Sequence, residues 1–333
     1  MVTAFLRRRL WRGAATLLVT VALLYFVLRA INPPELVETL SDISPSLALL
    51  GALAAFGFIL SRAWRYSLLL STNRGQWGTL LAITLSGWGA SLILPGPTGD
   101  AAFVWLARTR LKIPLAVGLG AALLSRLLDV ASLVLIALIT APLAGVRLSP
   151  LLLSGGLVVA GVIAAGLTAL FWSPSRRRVT DWLERLPLPA GIHERLHYAV
   201  EELGTGSRPF LLVVGTITAR VATGLQYMAL FAAIDQPLSL IQVWFALSLR
   251  TLLLAVPVQG LGGLGTMQVW WTAGLTLLGW PAGVALTTSL AVHLVDLSVS
   301  LPQAAIGWLF AMTRRAESPR DAAPLTGVVS DRS

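Results

Sequence analysis

Apolar stretches long enough to cross a bilayer recur along this chain, and two of them stop at Pro/Gly-rich loops instead of running through. The interruptions are Pro95-Gly96-Pro97-Thr98-Gly99-Asp100 and Val256-Pro257-Val258-Gln259-Gly260-Leu261-Gly262-Gly263-Leu264-Gly265. Non-helical backbone is tolerated at membrane depth only where protein or a water-filled cavity surrounds it, so each loop must be enclosed. Composition agrees with a bilayer as solvent. Apolar residues make up 56% of the 333 and charged ones 12%, about half the charge a soluble surface needs, and the mean hydropathy is +0.79. The expected fold class is all-α integral membrane: a polytopic helical bundle with two re-entrant hairpins related as an inverted repeat.

Charge placement sets the expected topology, because Lys and Arg collect on the cytoplasmic side. Arg7, Arg8, Arg9 and Arg12 precede an apolar run over 14–28 that has the layout of a signal peptide but lacks a small-x-small cleavage site, so it reads as a retained first span. The connection 32–46 carries Glu35, Glu38 and Asp42 and no cation, as an external loop should. A second span, 47–70, comes inward; Arg62, Arg65 and Arg74 near its end read as snorkelling residues. If 79–94 crossed fully, Arg108, Arg110 and Lys112 would lie outside. Turning back at the Pro/Gly loop keeps them inside, so 79–107 reads as a hairpin. Spans 115–141 and 150–172 follow, then a basic amphipathic cytoplasmic loop, 173–208, opening on Arg176, Arg177 and Arg178, with Ile192, Leu196, Ala199, Val200 and Leu203 at helical spacing. Span 210–234 goes out, 240–278 forms the second hairpin, and 281–312 ends at Arg314 and Arg315. Both termini are expected in the cytoplasm of a multi-pass plasma-membrane protein. Residues 1–315 form the membrane domain and 316–333 a disordered tail. The net charge of +10 is thereby assigned to orientation and anionic headgroups, and nucleic acid is not an expected partner.

The halves correspond by subtraction. Pro95 and Pro257 lie 162 positions apart, while Pro114 and Pro281, Arg126 and His293, and Asp129 and Asp296 are each separated by 167. Repeat one spans about 47–141 and repeat two about 210–312, with opposite expected orientation. Such a duplication, with interrupted helices in matching places, suits alternating exposure of a central site.

An ionisable residue at the centre of a span costs about 2.5–3.5 kcal/mol on the insertion scale, so each needs a partner or a cavity. Arg126 and Asp129, at i and i+3, share a helix face, which fits either a local ion pair or a phosphate site with Arg126 as bidentate donor. His293 and Asp296 repeat the spacing, and His293 adds a group able to carry a proton. Asp100 fits a helix cap or a headgroup contact. Arg250 and Arg220 lie deep in apolar segments. Gly99, Gly262 and Gly263 serve backbone geometry first and close approach of a ligand second. The twelve Trp residues read as belt or packing residues. The chain has no Cys, no HExxH, no P-loop and no GxSxG, and the His193/His197 pair lacks a third ligand. No catalytic residue, metal or cofactor is expected.

Taken in order, Leu94 to Asp100, Ser125-Arg126-Leu127-Leu128-Asp129 and Pro257 to Gly265 resemble the transmembrane, flippase-like domain of lysylphosphatidylglycerol synthases, over about 10–312. The resemblance implies an integral membrane protein that flips a lipid between leaflets. It implies no aminoacyl transfer, which belongs to a separate soluble domain in the full-length synthases; the chain is expected to be a stand-alone member. It departs from the family pattern at Ser125 and Gln268, where Glu is common, and at His293 and Phe103, where Arg is common. Fewer carboxylates weaken the case for a cationic lysyl headgroup. The expected substrate class is a phosphate-bearing lipid, either a modified phospholipid or a polyprenyl-phosphate lipid. The alternative reading is a non-catalytic partner or regulator of a cell-envelope lipid enzyme. A homo-oligomer or an envelope-enzyme partner is compatible with either.

Overall fold

The computed structural model describes residues 25, 29, 33–171, 208–253 and 260–313. Most of the expected first span, most of the basic loop 173–208, Pro257 and the 316–333 tail fall outside the described residues. Within them all regular structure is helical. The helices are α1 (Pro33–Ser41), α2 (Pro45–Leu69), α3 (Trp77–Ile93), α4 (Thr98–Arg110), α5 (Leu115–Leu143), α6 (Pro150–Phe171), α7 (Arg208–Ala233), α8 (Leu240–Leu253), α9 (Thr266–Leu277) and α10 (Ala282–Thr313). Single 3-10 turns occupy Arg74–Gln76 and Leu261–Gly263. The expected external loop is in part the helix α1, whose opening Pro33-Pro34 suits a first turn that needs no amide donor.

Four helices, α2, α5, α7 from Pro209, and α10, are long and apolar enough to cross a membrane. Between them, in both halves, stand two short ones: α3 and α4 have 17 and 13 residues, and α8 and α9 have 14 and 12. At 1.5 Å per residue these are about 18–26 Å long, short of a hydrocarbon core of about 30 Å. Leucines such as Leu53, Leu123, Leu151 and Leu309 stay exposed, as a lipid-facing surface requires.

The centre of the fold is the seam between α2 and α7. The two run antiparallel: Ser44 N–H donates to the Ala233 carbonyl at one end (2.9 Å), and Arg65 reaches Thr216 Oγ1 towards the other (3.2 Å). Without a hydrophobic drive between helices in lipid, close packing needs small residues. The seam has Gly51, whose missing Cβ leaves room for Leu230, and Gly215, whose Cβ would stand 2.7 Å from Arg65 Cγ. Ala55, Ala63 and Ala219 are fully buried. Around this seam the packing is reciprocal. The first arm of each hairpin lies against the last long helix of the other half, α3 on α10 and α8 on α5.

The two loops approach one another. The turn at Leu261–Gly263 packs against α3, and Gly262 lies beside the Leu92 carbonyl, just before the first loop. Gly96 (φ 78°) and Gly262 (φ 62°) are left-handed, a conformation that explains their identity without a ligand.

Candidate functional site

Two polar centres are buried along α7, one at Arg220 and one at Gln226 and Tyr227. Seven residues of helix separate Arg220 from Tyr227, about 10 Å.

The first centre is built from α2, α4, α5 and α7. Asp129 accepts from Arg65 Nη1 at 2.9 Å and from Arg220 Nη2. Arg65 is fully buried and also donates to Thr216 Oγ1 (3.2 Å) and, through Nη2, to Ser125 Oγ (3.1 Å). One turn earlier on α2, Arg62 Nη2 donates to Asp100 Oδ1 at 3.0 Å, and Arg126 Nε donates to Asp100 Oδ2 at 2.7 Å. Arg62 also reaches the Tyr66 hydroxyl (3.2 Å), and Tyr66 stacks on Phe103 with ring centroids 3.8 Å apart. Each aspartate is therefore shared by two guanidiniums. The four arginines exceed the two carboxylates by two positive charges, and the Nε atoms of Arg65 and Arg220 are buried without a hydrogen-bond partner.

Two expectations change here. Arg126 and Asp129 share a face but do not pair; their partners come from α4, α2 and α7, which outbid an i, i+3 contact in a packed interior. Arg62 and Arg65 do not snorkel to an interface: they point inward, because two carboxylates wait there. The bonds recorded to the Asp100 carboxylate come from Arg62 and Arg126. It still sits in the first turn of α4, where negative charge is favoured by the helix dipole. Gly99 faces α3 rather than a cavity. A Cβ there would stand 2.5 Å from the Gly87 carbonyl oxygen, so this glycine closes the α3/α4 hairpin.

The second centre is built from α7, α8, α9 and α10. Asp296 is buried and accepts from Gln226 Nε2 (2.8 Å), Tyr227 Oη (2.8 Å) and Ser300 Oγ (3.0 Å). Arg250 Nη1 donates to Tyr227 Oη at 2.9 Å, so cation and carboxylate communicate through one phenol. Arg250 otherwise rests on soft partners: Met267 Sδ at 3.0 Å and the rings of Tyr227 and Trp271, at 5.2 and 5.4 Å from its guanidinium carbon. Such cation–π contacts stabilise by about 2 kcal/mol when desolvated.

His293 does not join Asp296 in a pair. Its Nδ1 is 2.7 Å from Gln268 Nε2. The Gln268 oxygen is already taken by the Gly265 N–H at 2.6 Å, so the amide nitrogen must donate and Nδ1 must accept. Gly263 lies against the ring. His293 thus ties the second loop and the start of α9 to α10.

Gln226, Tyr227, Met267 and Trp271 were not singled out by sequence as site residues, and Arg65 was read first as a snorkelling residue. A signal existed for Arg65: it lies five residues inside an apolar run ending at Leu70, about 7 Å in, deeper than a flank. Arg65 and Tyr227 are 162 residues apart, the offset of the two loop prolines, and each bonds the carboxylate of its own half.

The family model of the lysylphosphatidylglycerol synthase TM region matches residues 13–302. The chain belongs to that family. No curated protein and no solved structure shows significant similarity to it. As a member of the lysylphosphatidylglycerol synthase TM family with four helices fit to span a bilayer, it is an integral membrane protein.

Proposed function

We propose that this protein moves a phosphate-bearing lipid between the leaflets of the plasma membrane, with both termini cytoplasmic. The observation that carries the reading is the excess of two positive charges in the first centre, where Arg65 and Arg220 are buried and Arg126 is half exposed. Unbalanced guanidiniums there need an anion, and phosphate oxygens match the guanidinium fork bidentately. Lipids supply phosphate from the bilayer itself.

Alternating access needs two related halves and two gates. The long-short-short-long order of helices in each half supports an inverted repeat, as do the reciprocal packing of α3 on α10 and α8 on α5 and the antiparallel course of α2 and α7. The short lengths of α3, α4, α8 and α9 support re-entrant hairpins whose loops meet inside the membrane. In this reading Arg126 holds the phosphate together with Arg62, Arg65 and Arg220, Asp100 and Asp129 orient those guanidiniums, and Arg250, His293, Asp296, Gly262 and Gly263 form the second gate.

The test is leaflet exchange of labelled phospholipids and polyprenyl phosphates in reconstituted vesicles. Acceleration over protein-free vesicles is the expected result; no acceleration for any lipid overturns the reading. Single cysteines at Thr98 and Gly260, in a chain without any native Cys, should label slowly and from opposite sides. Rapid labelling of both from one side overturns the inverted hairpins.

A further inference from the structure

We infer that the headgroup this protein carries is a phosphate monoester or diphosphate: a dianion with no cation of its own. The inference rests on the translocation reading and narrows its substrate class.

Charge bookkeeping in the first centre carries it. Asp129 balances one of Arg65 and Arg220, and Asp100 balances one of Arg62 and Arg126. Each triad keeps one positive charge, and the triads adjoin through Arg62 and Arg65, one turn apart on α2. The second centre contributes no further excess: Arg250 stands against Asp296 through Tyr227, and His293 is fixed as a neutral acceptor by Gln268. Two uncompensated cations at a site buried on the side of Arg65 and Arg220 and open at Arg126 are best neutralised by two negative charges on one small group.

The donor set agrees. Nε of Arg65 and Nε of Arg220 are buried, unpartnered and charged, and they belong to residues at most one-tenth exposed. A phosphodiester offers one charge and two free oxygens. A monoester offers two charges over three oxygens, enough to engage both triads. A headgroup bearing an ammonium, zwitterionic or lysyl-modified, would bring its cation among four arginines with both carboxylates already shared. Arg126, half exposed at 53%, is the guanidinium placed to meet an arriving headgroup first.

The experiment compares chain-matched labelled lipids in the same proteoliposomes: phosphatidic acid and a polyprenyl phosphate as monoesters, phosphatidylglycerol as monoanion, phosphatidylethanolamine as zwitterion and lysylphosphatidylglycerol as cation. Monoesters should exchange roughly tenfold faster than the monoanion, and the last two slower still. Phosphatidylglycerol or lysylphosphatidylglycerol matching the monoesters overturns the inference while translocation stands; no exchange of any lipid removes both. Radiolabelled inorganic phosphate, added outside the same vesicles, separates the lipid from the free ion as source. No uptake is expected, and phosphate uptake without lipid exchange overturns the lipid assignment. Arg126→Gln lowers the excess to one charge, so its monoester preference should shrink towards parity with phosphatidylglycerol; an undiminished tenfold preference overturns the charge argument.

Discussion

The two centres share helix α7 but bury charge differently. The first holds four arginines on two aspartates and keeps a surplus of cation. The second holds one arginine, cushioned by Tyr227, Trp271 and Met267, and one aspartate satisfied by three neutral donors. Among the described residues the first keeps two cations in excess, whereas in the second one arginine stands against one aspartate. The difference teaches that two aspartates 167 positions apart, Asp129 and Asp296, can sit in unlike surroundings, one among guanidiniums and one among neutral donors.

The largest expected effect comes from Asp129→Asn, which leaves Arg65 and Arg220 buried without their carboxylate. Breaking a buried charge network in this way costs about 3–5 kcal/mol, seen as a fall in the unfolding midpoint of the detergent-solubilised protein and loss of exchange. Asp296→Asn should cost less, about 1.5–3 kcal/mol, because its lost partners are neutral. An equal or larger drop than for Asp129→Asn would break the comparison. Gly215→Ala pushes on the Arg65 stem without touching any charge and should cost about 1–3 kcal/mol by overpacking. Its diagnostic is loss of lipid exchange at temperatures where the fold is intact, since Arg65 must move. Arg126→Gln should change stability least, by about 0–1 kcal/mol for an exposed pair, while slowing lipid exchange. A variant with unaltered exchange would remove Arg126 from the path. Finally, Gln268→Leu removes the amide that holds His293 Nδ1 and the Gly265 N–H. Labelling at a cysteine in place of Gly260 should accelerate, while labelling at Thr98→Cys stays unchanged.

Much of the architecture was legible because hydrophobic length and Pro/Gly breaks are local properties. The expected ends at 115–141 and 281–312 differ by one or two residues from α5 and α10. Arg126, Asp129, His293 and Asp296 were legible as intramembrane ionisable residues for the same reason. Their partners were not. Arg65 and Asp129 are 64 residues apart and Arg220 and Asp129 are 91, and nothing local says which helices will adjoin. The i, i+3 spacing was misleading for pairing: it puts two side chains on one face but does not choose between a neighbour and a better partner across the bundle. Arginines near a span end look alike in sequence whether they reach to a headgroup or to a carboxylate.

By itself, then, the sequence determined the solvent, the long helices, the two broken segments and the family, since each follows from the composition and order of consecutive residues. Only the tertiary structure decided that Arg62, Arg65, Arg126 and Arg220 meet around Asp100 and Asp129 while Asp296 is satisfied without an ion-pair contact. Charge balance in a low-dielectric interior is a sum over neighbours in space, and those neighbours are chosen by the small-residue seam that brings α2 against α7.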